Sequence, residues 1–240
     1  MKLQILSDAH TEMHADGGKS FVEWVTTDAD VLVIAGDLGT TRTLREVLRQ
    51  FCQRYPHVIY VLGNHEYYGS SLPEVRKVMG RTRKECPNLH WLENEVAVID
   101  GQRFVGSTLW FPDDGSNEAW EGHLNDFWQI LNFRDWVYDL NQRSMAFLAD
   151  EVRAGDVVVT HHIPTVRGIT PRWVGSFLNR FFVCDMTSAI EKTQPKFWAY
   201  GHTHDSNHLL LGETELICNP FGYARREENR SFDPRLIIEV

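Results

Sequence analysis

"YVLGNHEYYG", Tyr60 to Gly69, is the stretch on which the reading of this chain turns. Tyr60, Val61 and Leu62 end an apolar run and Gly63 breaks it, so a buried strand runs into a turn. An amide, an imidazole and a carboxylate then follow in succession: Asn64, His65 and Glu66. Asn and Glu beside Gly are ordinary turn and capping residues, and one histidine is more often structural than catalytic. Alone, the stretch decides nothing. The test is whether other strands end in the same way.

Short apolar runs recur at residues 3–6, 31–35, 58–62, 96–99 with 104–105, 157–159, 197–200 and 216–217. Each is brief, most are rich in Val, Ile or Phe, and each gives way to polar residues, which predicts strands. Patterns at 44–54, 72–85, 142–153 and 185–191 predict helices between them. Strands alternating with helices make an α/β chain with largely parallel or mixed sheets. No repeat, low-complexity segment or linker divides it, so residues 1–240 are expected to form one domain. The stretch from Trp110 to Phe182 differs: it is dense in aromatics, and around 142–159 it carries two long elaborations, 110–138 and 164–182.

Ligand-type side chains stand just beyond five of the strands. Asp8 and His10 follow the first, Gly36 and Asp37 the second, Asn64 and His65 the third. His161 and His162 follow 157–159, and Gly201, His202 and His204 follow 197–200. In open α/β sheets, ligands bind outside the carboxyl ends of the strands. Each residue has an ordinary reading on its own: Asp8 and Asp37 as caps or turn residues, His161-His162 as a loop before Pro164, "GHTH" as a surface turn. Jointly these readings fail, because six of the eleven histidines fall at strand ends. The other five, His14, His57, His90, His123 and His208, are read as surface or structural.

Composition narrows the classes. A chain of 240 residues with 42% hydrophobic and 24% charged residues has the make-up of a soluble globular protein. No apolar run approaches the ~20 residues of a membrane span, and the apolar start of "MKLQILSDAH" is too short for a secretory signal. A net charge of −9 disfavours extended nucleic acid as a partner. Cys52, Cys86, Cys184 and Cys218 are widely spaced, with neither CxxC nor disulfide-scaffold density. A cytoplasmic home is expected.

Carboxylate, imidazole and amide oxygen without thiolate suit catalytic divalent metals better than a Cys-rich structural zinc. Two such ions about 3.5–4 Å apart need a bridging carboxylate, lower the pKa of a shared water toward about 7, and clamp phosphoryl oxygens.

The ordered series D-A-H (Asp8, Ala9, His10), G-D (Gly36, Asp37), G-N-H-E (Gly63, Asn64, His65, Glu66), H-H (His161, His162) and G-H-T-H (Gly201, His202, Thr203, His204) resembles the calcineurin-like metallophosphoesterase superfamily. The resemblance runs from residue 7 to about 222, where "NPFGY" (219–223) is similar to the closing N-P-G-type strand end. It implies an α/β/β/α sandwich of two mixed sheets, with elaborations over the active-site edge. It also implies two divalent ions, manganese first and Fe, Zn, Co or Ni as alternatives. One would be held by Asp8, His10, Asp37 and His204, the other by Asp37, Asn64, His161 and His202, with Asp37 bridging. A metal-bridging hydroxide would attack the phosphorus, and His65 would protonate the leaving group or stabilise charge. His162 is expected to line the site as a supporting or phosphate-contacting group.

Departures from the pattern narrow the kind. "GDLGTTR" (36–42) lacks the acid and arginine of the G-D-x-x-D-R-G of protein Ser/Thr phosphatases. Thr40 stands where purple acid phosphatases carry an iron-ligating tyrosine, and His65 stands where lipid-A pyrophosphohydrolases have arginine. The small bacterial and phage-type phosphoesterases remain. The expected partner is a small phosphorylated substrate, a monoester or diester, and no membrane; a nuclease or nucleotide pyrophosphatase is the alternative. A non-catalytic binding scaffold would have lost ligands, and here all seven positions and His65 are present. Specificity is expected from the elaborations. Either Trp110 and Phe111 wall the substrate's organic group, with Asn125, Asp126, Arg167 and Arg172 adding polar contacts, or the aromatics, Trp120, Phe127 and Trp128 among them, simply pack. Asp126 is expected to hold an arginine or a backbone amide.

Overall fold

Every residue of β2 (Val31–Ala35) is apolar because both of its faces are covered. Val31, Val33 and Ala35 enter one core while Leu32 and Ile34 enter another, the period-two alternation of a strand. The computed structural model, which describes all 240 residues, repeats this division strand by strand.

One sheet has the order β15 (Ile237–Glu239), β1 (Lys2–Leu6), β2, β3 (His57–Val61), β5 (Leu89–Trp91). It is parallel except where β15 pairs antiparallel with β1. The other has the order β11 (Asn207–Leu211), β12 (Thr214–Cys218), β10 (Phe197–Tyr200), β9 (Val157–Thr160), β7 (Gln102–Ser107), β6 (Glu95–Ile99), antiparallel only at its two outer pairs. Two short pairs complete the strands, β4 (Ser70–Ser71) with β8 (Ile130–Leu131) and β13 (Gly222–Tyr223) with β14 (Glu227–Glu228).

The two sheets face each other through Leu3, Ile5, Val33, Ile59, Val61, Phe104, Val159, Ala199 and their neighbours, all buried. Behind the first sheet lie α1 (Lys19–Val25), α2 (Leu44–Cys52) and α3 (Leu72–Glu85), which give Phe21, Leu48, Phe51, Val75 and Met79 to an outer core. Behind the second lie α5 (Val137–Glu151) and α6 (Thr187–Thr193), whose Leu148 and Ile190 meet Val158, Trp198 and Tyr200. The result is the expected four-layer α/β/β/α sandwich of two mixed sheets. The small helix α4 (Asp126–Gln129) belongs to the first elaboration.

The expected strands are all present. Two helices start elsewhere: the pattern at 142–153 is the C-terminal part of α5, and that at 185–191 is displaced to Thr187–Thr193. Elements outside the expectation are short or mixed in polarity: the seven-residue α1, three-residue β5 and β15, and β11, which alternates between exposed and covered residues. No helix is long and apolar enough to cross a membrane. All four cysteines are free.

Candidate metal centre

The carboxyl ends of β1, β2, β3, β9 and β10 meet along one edge, tied across strands by backbone hydrogen bonds. Asp8 N–H donates to Gly36 O (3.0 Å), His10 N–H to Asp37 O (3.0 Å) and Gly201 N–H to His161 O (3.0 Å). The chain is strained there. Asp8, His10, Asp37, His202 and His204 all have φ between 44° and 71°, a region L side chains seldom adopt and one found where surrounding structure over-determines a functional geometry. The glycines of the motifs are sterically required. A Cβ on Gly36 (φ 84°) would overlap the His161 ring, and one on Gly63 would overlap the Asp37 carboxylate.

Donor atoms of Asp8, His10, Asp37 and His204 converge within 4.8 Å of one another, and so do those of Asp37, His161 and His202. Asp37 belongs to both groups. Asn64 joins the second, its Oδ1 3.1 Å from His161 Nε2. His10 Nε2 faces His204 Nε2 at 2.9 Å, and His161 Nε2 faces His202 Nδ1 at 3.1 Å. Lone pairs from four imidazoles, two carboxylates and an amide aimed at two neighbouring points, mostly from buried groups, are the donor set that two divalent cations satisfy. The residues fit the group.

Their outer contacts fix the direction of those lone pairs. His161 Nδ1–H donates to Ala35 O (2.9 Å), leaving Nε2 to face the site. Asn64 Nδ2 donates to Asp126 Oδ1 (2.8 Å), which turns its carbonyl oxygen inward; Tyr68 donates to the same oxygen (2.7 Å). Burial favours a neutral Asp37, but the charges of His161 and His65 outweigh it and hold the carboxyl well below its usual range. Burial likewise opposes protonation of His161, and Asp37 overrides it, pushing the imidazole up to about 10. His204 is drawn down to about 3 by burial and by His10. Displaced titrations of this kind cluster at functional sites.

His65 lies beside both groups. Its backbone N–H donates to Asp37 Oδ1 (2.8 Å), its Nδ1 meets Glu12 Oε1 at 3.0 Å, and its Nε2 is 3.2 Å from the Tyr223 hydroxyl. Tyr68 stacks on the ring at a centroid distance of 4.0 Å. Burial opposes the charged form, but Asp37 and Glu12 outweigh it and raise the imidazole to about 9. Glu12 also lies 3.5 Å from His10 Nδ1. Sequence reasoning left His65 without an orienting partner; the signal was an acid two residues beyond His10. Glu66, fully buried, went unassigned as well. Its carboxylate accepts the N–H groups of Leu38 (2.7 Å) and Gly63 (2.6 Å) and the Tyr60 hydroxyl (2.7 Å), pinning the turns after β2 and β3 to each other.

Two expectations are corrected and one alternative is decided. Of the roles expected of His162, contact with phosphate fails, because the ring does not reach the cleft: it is fully buried behind the candidate ligand His202 (ring centroids 4.3 Å apart), against Trp110, with Nδ1 3.3 Å from Thr108 O. Burial and the neighbouring His161 keep it neutral, its pKa well below the usual value, so it offers phosphate no charge. Of the two alternatives for Trp110 and Phe111, packing is the one observed, because both are wholly buried among Tyr67, Phe133, Trp136 and Phe181. Asp126 holds the Asn64 amide and the Tyr68 hydroxyl rather than an arginine or a backbone amide.

The cleft over the ligands is bordered by Tyr68, Asn125, Tyr223, Arg172 and, against expectation, His123. Arg172 is already paired with Asp205 (3.0 Å) and Glu227 (2.9 Å), and Arg167 lies exposed outside this cleft. Phe127 packs on Phe133 and Trp120 on Phe177, while Trp128 is exposed.

A sequence model of calcineurin-like phosphoesterases matches residues 1–206. The chain belongs to that family. It is thus a metallophosphoesterase, a hydrolase of phosphoric esters, and the family implies the dimetal centre for which these ligand groups are the candidates. Among proteins of similar sequence, uncharacterized protein L509 of Acanthamoeba polyphaga mimivirus is 25% identical across 99% of this chain and 96% of its own. UPF0046 protein K07C11.7 of Caenorhabditis elegans is 26% identical across 91% and 70%. Among solved structures, the phosphopantetheinyl hydrolase PptH of Mycobacterium tuberculosis superposes with a TM-score of 0.73 at 20% identity, covering 93% of this chain and 90% of its own. A dimetal phosphatase from Danio rerio gives 0.54 at 12% identity, covering 91% and 86%. At these identities the structural likeness is one of fold.

Proposed function

We propose that this phosphoesterase hydrolyses a small phosphomonoester or phosphodiester with two divalent ions, manganese by preference. Asp8, His10, Asp37 and His204 would hold one ion and Asp37, Asn64, His161 and His202 the other. When bound, the ions would acidify a water and neutralise charge on the phosphoryl oxygens. The observation that carries the reading is the convergence of two ligand groups on one shared carboxylate, Asp37, with His65 hydrogen-bonded to that same residue.

The chain's own residues do the rest. Glu12 fixes Nδ1 of His65 and Tyr68 fixes the plane of its ring, so Nε2 is the atom left to give a proton to the leaving oxygen. In the resting site Tyr223 keeps that nitrogen engaged. Asp126 holds the Asn64 amide in its ligand orientation, and Glu66 keeps the two turns carrying Asp37 and Asn64 in register. Charge supports a small substrate, since a net −9 repels extended nucleic acid. Four free thiols accord with a reducing, cytoplasmic setting.

A panel tests it: aryl and alkyl phosphomonoesters, phosphodiesters, nucleotide pyrophosphates and a phosphopantetheinyl ester, each assayed after chelation and again with Mn²⁺ or other divalents. Chelation should abolish turnover and Mn²⁺ should restore it at least in part. Full turnover in a metal-free sample ends the reading.

A further inference from the structure

Beside the cleft lies a second, small hollow lined by Ile163, Ile169, Trp173, Leu178 and Phe182, with Ser176, Asn179 and Thr203 at its edges. It carries no charged side chain, and two of its three polar ones are engaged: Asn179 Nδ2 donates to Trp173 O (2.8 Å) and Ser176 Oγ accepts from Leu178 N–H (3.3 Å). A phosphate or a sugar would find few partners there. The hollow adjoins the cleft: Trp173, Leu178, Phe182 and Thr203 border both.

Its floor is held in register with the ligands. Ile163 N–H donates to Phe182 O (3.0 Å) and Cys184 N–H to Ile163 O (3.0 Å), and Ile163 is two residues from His161. The Phe182 ring lies over the His202 ring at a centroid distance of 4.2 Å. Trp173, on the outer side, is 38% exposed. An apolar hollow beside a phosphoester site, at a fixed offset from two ligands, fits one occupant: the organic group esterified to the phosphate. Resting on the phosphoesterase reading above, we propose that this hollow selects esters whose organic group begins with a compact apolar unit, a phenyl ring or a branched alkyl group, and that segment 164–182 is the specificity element. An apolar lining with a few polar groups serves that purpose in small-molecule sites, and a single added apolar group typically changes discrimination by about 10-fold or more.

Binding tests the hollow separately from catalysis. With the Mn²⁺-loaded protein, titration calorimetry should show phenylphosphonate binding at least ~10-fold more tightly than methylphosphonate. Ser176→Phe, at a half-buried rim position, would fill the hollow and bring that ratio close to one. Leu178→Ala would enlarge it and move the preference toward naphthylphosphonate. A thermal midpoint within about 3 °C of the parent's would show each variant folded. A ratio near one in the parent, or a ratio unmoved in both variants, overturns the proposal. A retained phenyl preference in a protein that cleaves no ester would leave the hollow standing and remove the phosphoesterase reading. Neither phosphonate binding would remove both.

Discussion

Segments 110–138 and 164–182 border the same cleft and are both rich in aromatics, yet they use them differently. In the first, Trp128 stands exposed, but Trp110, Phe111 and Phe133, at most 2% exposed, interlock. In the second, Phe181 joins that buried cluster, but Trp173 is 38% and Phe177 43% exposed. The first segment completes the outer core behind the first sheet and reaches the metal edge through a carboxylate, Asp126. The second leaves apolar surface open beside His202. Aromatic density therefore says little about substrate contact; what matters is whether other side chains have already covered the rings. Between the two lies the strand-end edge, whose geometry serves any phosphoester.

If that division is right, substitutions at the edge should slow every substrate in a folded protein, by an amount set by the leaving group's chemistry and not by how its organic group fits. Those of the buried aromatics in the first segment should cost stability without changing the order of preference, and those lining the hollow of the second should reorder preference. The largest effect is expected at the edge. His65→Asn should retain metal yet lower kcat by about 10²–10⁴, the usual size of general acid catalysis. The loss should shrink for p-nitrophenyl esters, whose leaving group needs little protonation; an equal loss across leaving groups would make His65 a stabiliser of phosphoryl charge. Trp110→Ala comes next, with a stability loss of about 3–5 kcal/mol in denaturant melts. Reordered substrate preference in that variant would break the comparison.

The smallest effect concerns the root of the first segment. There Glu93 accepts a hydrogen bond from Thr108 (2.8 Å) while its other oxygen is buried without a partner. Burial pushes its carboxyl up to about 7 from an ordinary 4.5. The folded state thus holds a proton the unfolded chain has released. This contribution is present in full below about pH 4.5 and is lost as pH rises toward 7. Glu93→Gln should melt close to the parent at pH 4 and above it at pH 8, by about 2–4 °C if the gain is near 1 kcal/mol. A difference that does not vary with pH would show Glu93 ionised in the fold.

The α/β alternation and the strand-end polar cluster were legible because parallel strands buried on both faces read as short apolar runs, and because polar side chains at their carboxyl ends have few alternatives to a shared edge. The sandwich and the seven candidate ligands came with the resemblance to the calcineurin-like metallophosphoesterases. Glu12, Glu66 and Asp126 were not, because each acts through a contact made across 28 to 62 residues of chain. The burial of Trp110 and Phe111 escaped for a related reason. A strand exit at the active edge looks the same in sequence whether its side chains turn to solvent or, at φ 55° as in Trp110, back into the core.

The shared carboxylate is the centre of the account, and metal content tests it most directly. Purified protein, stripped and reloaded with Mn²⁺, should bind two ions per chain by elemental analysis. Asn64→Ala, which removes one candidate ligand from one group, should retain more metal than Asp37→Ala, which removes a ligand from both and should lose most of it together with activity. Asp37→Ala retaining two ions at parental affinity would contradict the account.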